Sequence, residues 1–374
     1  MLCALAIACR DSDVTEDESS SVLSEVPEGR WFVTWRNSVA AESGGGDAAL
    51  AVGAVLVGEN TIVTGSYTTG SLVAIDADSR SVRHLGRLGD GPGEFRALHR
   101  VRRCSADEVV AQDFANGRVT FVSPKLEVRA IQAVPPRVLG GELIACARDR
   151  TLLFVNDPPE VPGDGVYTVN QVAYSVRSSD GNVARLGAWS ITQMVFDTRL
   201  QVFFPLPLGQ RALSAGSDDN LYVVDATSCR VTRLRTGESP LKRRVVRHVL
   251  ARPIDQARAR ARIVDEMTDS VTRRKVRLAM ERTRSGDTPP CAEQAVGGTG
   301  GQIWIRLASS DVDTTATWLQ LDGELRPILR LTLPGTMDVM DARGEQVLVL
   351  EKSVDDGQLQ LLRSCLPGTA TCPR

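Results

Sequence analysis

The stretch LGRLGDGPGEF, Leu85–Phe95, sets four glycines and a proline around the acidic pair Asp90 and Glu94, and how it is read decides the fold. Glycines this dense serve either a phosphate loop or a chain corner. A phosphate loop needs a strand, then glycines, then a helix whose N-terminus faces the anion. Here Pro92 interrupts the run, no Gly-Lys-Ser/Thr follows, and the next regular segment reads as another strand. Pro92-Gly93 instead suits a type II turn, with proline fixing one backbone angle and glycine taking the positive one. Phe95 is then placed to wedge between neighbouring layers, so the stretch is a corner between strands.

Outward from the corner, one unit recurs: a short strand, a polar hairpin turn and an apolar strand. It appears as LVGENTIVTGS from Leu56, RRCSADEVVAQD from Arg102, IACARDRTLLFVN from Ile144, SAGSDDNLYVVD from Ser214, AVGGTGGQIWIRL from Ala295 and VMDARGEQVLVLE from Val339. Each continues into a third alternating strand, such as SLVAID or GRVTFV, and several add a fourth, such as SVRHLG. A repeat of this length built of antiparallel hairpins predicts an all-β, six-bladed β-propeller with four-stranded antiparallel blades. The last repeat lacks a clear fourth strand, and RWFVTWRNSV from Arg30 lacks a partner of its own. The N-terminal strand is therefore expected to close the last blade, which removes exposed sheet edges. The expected propeller spans 30–366, followed by a C-terminal tail at 367–374.

The sequence resembles six-bladed propellers of the NHL-like and TolB-like kind, including bacterial lipoproteins that carry a Gly-x-Gly-Pro-Gly-Glu-Phe corner. In VVAQDFANGRVTFV, Val109–Val122, Asp113 closes a strand, Asn116 follows and Arg118 opens the next strand, as in the NHL pattern. LYVVDATSCRVTRL repeats it with Asp225 and Arg230, with Ser228 in place of the asparagine. The resemblance implies a fold more than a function.

The N-terminal MLCALAIAC resembles the end of a lipoprotein signal over 1–9, with Cys9 as the lipidated residue, although Ala6 stands where leucine is usual and the basic n-region is missing. The acidic, serine-rich segment at 10–29 cannot bury itself and reads as a flexible tether. The chain is thus expected in the bacterial cell envelope, lipid-anchored on the periplasmic or extracellular side, as a monomer. No run of about 20 apolar residues could span a bilayer. A net charge of −2 argues against a nucleic-acid-coating protein.

Beyond Cys3 and Cys9, six cysteines remain. An exported chain favours disulfides among them, and repeat position suggests Cys104 with Cys146, Cys229 with Cys291, and Cys365 with Cys372. Neither a Cys-x-x-Cys pair nor a histidine cluster points to zinc, and no metal site is assigned.

Strand-end residues Asp113, Asn156, Asp225 and Glu351 share one repeat position, so closure would gather them at one mouth of the channel. There they could hold calcium, as in lactonase-like propellers, or simply cap their own turns. Turns after second and fourth strands emerge on one side, which collects the long loops. That elaborated face is expected to bind a protein, peptide or glycan through Asp113, Asn116, Asn156, Asp157 and Asp225.

A basic insertion at 240–290 separates the fourth and fifth repeats; Lys242 to Arg284 holds 14 Lys and Arg against 5 Asp and Glu. Ile254, Ala257, Ala261, Val264, Val271 and Leu278 follow helical three-four spacing and are expected to face the propeller. Arg258, Arg262, Arg273 and Arg277 would then point outward, toward solvent or an anionic partner. No nucleophile elbow and no catalytic histidine context is present. The preferred function is therefore non-catalytic binding, and the alternative is a calcium-dependent hydrolase.

Overall fold

The computed structural model of the chain describes residues 25–38, 52–156, 165–200, 202–235, 238, 240–244, 264, 270–282, 290–308, 314–352 and 357–365. After β1 (Glu28–Ser38), the chain builds antiparallel sheets in succession. The first holds β2 (Ala54–Val57), β3 (Thr61–Ser66), β4 (Ser71–Asp76) and β5 (Val82–Leu85), and the second β6 (Leu98–Ser105), β7 (Glu108–Asp113), β8 (Arg118–Val122) and β9 (Val128–Ala133). The third has five strands: β10 (Glu142–Cys146), β11 (Leu152–Asn156), β12 (Gly165–Val176), β13 (Val183–Asp197) and β14 (Val202–Gln210). The fourth is β15 (Ala212–Ser217), β16 (Asn220–Asp225), β17 (Arg230–Arg235) and β18 (Leu241–Arg244).

The last sheet has eight strands. It joins β19 (Ala292–Gly297), β20 (Ile303–Leu307), β21 (Thr315–Leu321) and β22 (Pro327–Pro334) to β23 (Met337–Arg343), β24 (Gln346–Lys352) and β25 (Gly357–Cys365). The link is β1, which runs antiparallel to β25 from Arg30 opposite Cys365 to Ser38 opposite Gln358. It pairs with β22 in parallel at Glu28 and Gly29. The first and last segments of the fold therefore pair, as the unpartnered N-terminal strand requires.

The first strands β2, β6, β10, β15, β19 and β23 touch one another in that order, and β23 returns to β2. Antiparallel sheets packed face to face around such a closed cycle form a β-propeller. Second strands are covered by neighbouring sheets on both faces, so β7 is buried throughout, whereas the outermost β9 is half solvent-exposed. The core accordingly lies between sheets. One cluster gathers Phe95, Val55, Leu72 and Val109 between the first two sheets, and another gathers Trp304, Trp318, Leu331 and Val347.

Two disulfides staple adjacent sheets, Cys104–Cys146 with Cα atoms 4.5 Å apart and Cys229–Cys291 at 5.8 Å, as repeat position suggested. Cys365 is also disulfide-bonded, while Cys9 and Cys372 lie outside the described residues.

Two features depart from the sequence reading. The third sheet has a fifth strand, β14, and β12 and β13 run to 12 and 15 residues, well past Asn156 at the end of β11. A helix, α1 (Ser270–Arg282), packs on β14. Its inward residue is Val276, buried with Val264, Val195, Val202, Phe204 and Leu206. Val271 and Leu278, expected to face inward, are instead 61% and 37% exposed. Ile254, Ala257 and Ala261 lie outside the described residues.

Candidate functional site

The glycine corner comes first, because the predicted ligand residues hold it. The Glu94 N–H donates to Gly91 O at 3.1 Å and Gly93 takes φ 75°, the turn expected of Pro92-Gly93. Glu94 clamps the turn with its carboxylate, accepting from the Gly91 N–H at 2.9 Å and Arg87 Nε at 2.7 Å. Phe95 is fully buried between the sheets. The corner offers carbonyls rather than N–H groups. Arg118 donates to Asp90 O, Gly91 O and Glu94 O at 2.8 to 2.9 Å, and Asn116 Nδ2 donates to Gly89 O at 3.3 Å. Carbonyl oxygens facing a guanidinium cannot cradle a phosphate, which needs N–H donors.

Asp113 ties this assembly to its own strand. Its buried carboxylate accepts from the backbone N–H groups of Arg96 and Ala97 and from Asn116 Nδ2, with Arg118 Nε 3.7 Å away. Asp113 and Asn116 thus support the face from beneath. Asp225 instead caps its own turn, accepting from the Thr227 N–H at 2.8 Å, Thr227 Oγ1 at 2.7 Å and the Ser228 N–H at 3.1 Å. Burial pushes the Asp225 carboxyl up, but these donors outweigh it and hold it below the ordinary value.

Asn156 donates to Arg137 O at 3.3 Å, while its Oδ1 is buried without a hydrogen-bond partner among the described residues. That oxygen sits against Gly141, where a Cβ would lie 1.7 Å from it. Glu351 accepts from Gln360. Asp157, Arg258 and Arg262 lie outside the described residues. Among the described residues, no group of three His, Cys, Asp or Glu side chains is placed to hold a metal ion.

Beside the exposed charges of Arg87, Asp90 and Arg96, this face presents apolar side chains outward. Tyr67, Leu88, Phe114 and Leu139 are 53%, 57%, 44% and 54% exposed. All four lie in turns that follow second strands or in links that precede first strands. They form two pairs: Leu88 lies over Gly70 in the turn that carries Tyr67, and Leu139 lies over Gly117 in the turn that carries Phe114. The Phe114 ring tilts against His99, centroids 5.2 Å apart. The distal halves of β12 and β13, with β14 and α1, form a lobe beyond Asn156 on the same side. On α1, Arg277 is exposed, and Arg273 is half-buried and engaged.

Sequence reasoning missed the four apolar residues; the available signal was an aromatic set directly after a second strand in Tyr67 and Phe114. It also missed Arg100, Arg102 and Arg103, which line the central channel. Their signal was a charged HRVRRC strand where the other repeats begin with small or apolar residues.

No protein-family model matches the sequence, and no curated protein matches it. Among solved structures, the chain is similar to a member of the duf4221 family from Bacteroides vulgatus, with a TM-score of 0.52, 7% identity, and coverage of 91% of this chain and 99% of that one. It also matches virginiamycin B lyase from Staphylococcus aureus at a TM-score of 0.42 and 9% identity, covering 90% and 99% of the two chains. The WD40 repeats of RRP9 match at 0.45 and 8%, covering 90% and 100%. At these identities the first likeness concerns the fold alone, and the other two are too distant to inform function.

Proposed function

We propose that this chain is a six-bladed propeller of the NHL-like kind, anchored in the bacterial cell envelope through Cys9. In this reading it is a non-catalytic binding module that acts as a monomer. The closed cycle of β2, β6, β10, β15, β19 and β23 supports the count of six, with β1 as the fourth strand of the last blade. The segment at 240–290 is then a helical insertion between blades four and five, with α1 as its described part.

The observation that carries the function is the exposure of Tyr67, Leu88, Phe114 and Leu139, in two link-over-turn pairs, on the elaborated face. Clustered apolar side chains on a rigid scaffold mark interaction surfaces. A protein or peptide fits better than a glycan, because two of the four side chains are leucines and only two are aromatic. In this reading the basic helix borders the surface, and Arg258, Arg262, Arg273 and Arg277 are the proposed contacts for an acidic part of that partner.

Photo-crosslinking in intact cells tests this. A benzophenone amino acid at position 114 is expected to give one discrete adduct that is lost when Tyr67 and Leu88 become serine. The same group at exposed Asp107, in a first-hairpin turn on the opposite side, is expected to give none. Identical adducts from both positions, or none from 114, would overturn the proposal. A calcium-dependent rise in Tm together with lactone or ester hydrolysis would replace it with the calcium-dependent hydrolase.

A further inference from the structure

The central channel holds a cavity of about 290 Å³ with walls from every first strand of the cycle. It adjoins a recess of about 650 Å³ at the mouth built from first-hairpin turns, where Arg148, Asp218 and Arg343 stand. This is the side opposite the apolar face. Val55, Ile144, Val296 and Met340 line the cavity, with Gln294 beside them. Its charge comes mainly from one strand, since β6 places Arg100, Arg102 and Arg103 there.

Two of these arginines are paired. Arg103 bonds Asp341, whose carboxylate also accepts the N–H groups of Leu56 and Ala342. Arg100 Nε donates to Glu142 Oε1 at 2.7 Å. Arg102 differs. Its Nε and Nη1 donate to the carbonyls of Ile144 and Val101, at 3.1 and 2.9 Å. Its Nη2 lies 3.8 Å from Glu142 Oε1, beyond a hydrogen bond, and that oxygen already accepts from Arg100. Arg100 and Arg103 thus each hold a carboxylate at hydrogen-bond distance and Arg102 does not, while Asp218, also in the lining, accepts from the Gly301 N–H. Gly53 leaves the space Arg102 occupies, since a Cβ there would stand 3.0 Å from Nη1.

We infer that the channel is a binding site for a small monocarboxylate with an apolar body, its carboxylate on Arg102 Nη2 and its body against Val55, Val296 and Met340. A cavity of this size sits at the lower end of small-molecule pockets, roughly 300 Å³. Arg102 Nη2, without an acceptor at hydrogen-bond distance among the described residues, presents one position for one carboxylate. A phosphate dianion would bring a second charge toward Glu142 and Asp218, whereas a carboxylate suits the guanidinium fork. Burial pulls the Arg102 guanidinium down to about 10, a cost that an enclosed anion relieves.

Calorimetry and thermal shift with acetate, butyrate, benzoate and inorganic phosphate at matched ionic strength test the inference. Butyrate or benzoate is expected to bind saturably, more tightly than acetate, with no saturable phosphate binding. Arg102→Met is expected to weaken binding about tenfold or more. Arg102→Lys should recover only part, because it keeps the charge without the fork. Should R102M fail to fold, Glu142→Gln carries the test: removing the competing carboxylate is expected to tighten carboxylate binding severalfold. No saturable binding by any of the three acids, phosphate binding as well as they do, or affinities that neither Arg102→Met nor Glu142→Gln changes would overturn it.

Discussion

Glu94 shows how much a single side chain fixes. The Gly91 N–H, and after it Arg87, hold its carboxyl below the ordinary value. The folded state therefore takes up this proton less readily than the unfolded chain. The resulting stability is present above the unfolded value near 4.5 and is lost as pH falls through the lower folded value. Glu94→Gln is expected to flatten the fall in Tm between about pH 5 and pH 3, measured against the parent. A few residues earlier, Gly86 takes φ 91°, and a Cβ there would stand 2.2 Å from Gly93 O. Gly86→Ala should cost about 2–4 kcal/mol by urea unfolding, from backbone strain and the clash together. The corner was legible because proline and glycine act on their own backbone. Arg102 was not, because its surroundings, Gly53, Glu142 and Ile144, come from the neighbouring sheets on either side, and no local pattern records them.

At the scale of elements, the staples were legible and the lobe was not. Cys229–Cys291 closes the chain over a separation of 62 residues, at the base of the segment that carries α1. In the chain-entropy account that closure contributes about 4 kcal/mol. Replacing both cysteines by serine should lower urea stability by about that amount or somewhat less. Hydrogen exchange should then quicken in β15 to β19 while β2 to β9 keep their protection. The phase of α1 was misread for a physical reason. Three-four spacing admits more than one inward face, and the surface that selects between them is β14. That strand was hidden by Pro205 and Pro207, which argue against a strand except at a sheet edge, and β14 is the edge of its sheet.

For the molecule as a whole, the ring closes through β1, whose Trp35 is buried and whose Trp31 Nε1 donates to Thr332 O at 2.8 Å. Deleting Arg30 to Val39 would strip the last blade of its fourth strand and break the bridge that β1 makes from β22 to β25. The expected outcome is loss of a single cooperative melt across all sheets, where a merely local element would leave the Tm nearly unchanged. Closure was readable from two absences, a repeat short of a strand and a strand short of a repeat. It also sets a schedule. Thr34 leaves the ribosome long before Leu361, the residue 327 positions on whose carbonyl it bonds. At roughly 5–20 residues per second, β1 waits on the order of half a minute with two tryptophans wet and both edges open. Arg30 and Arg36 flank that apolar run and guard it from pairing with other nascent chains. Arg36→Val is therefore expected to lower soluble yield during expression while leaving the Tm of the folded protein unchanged.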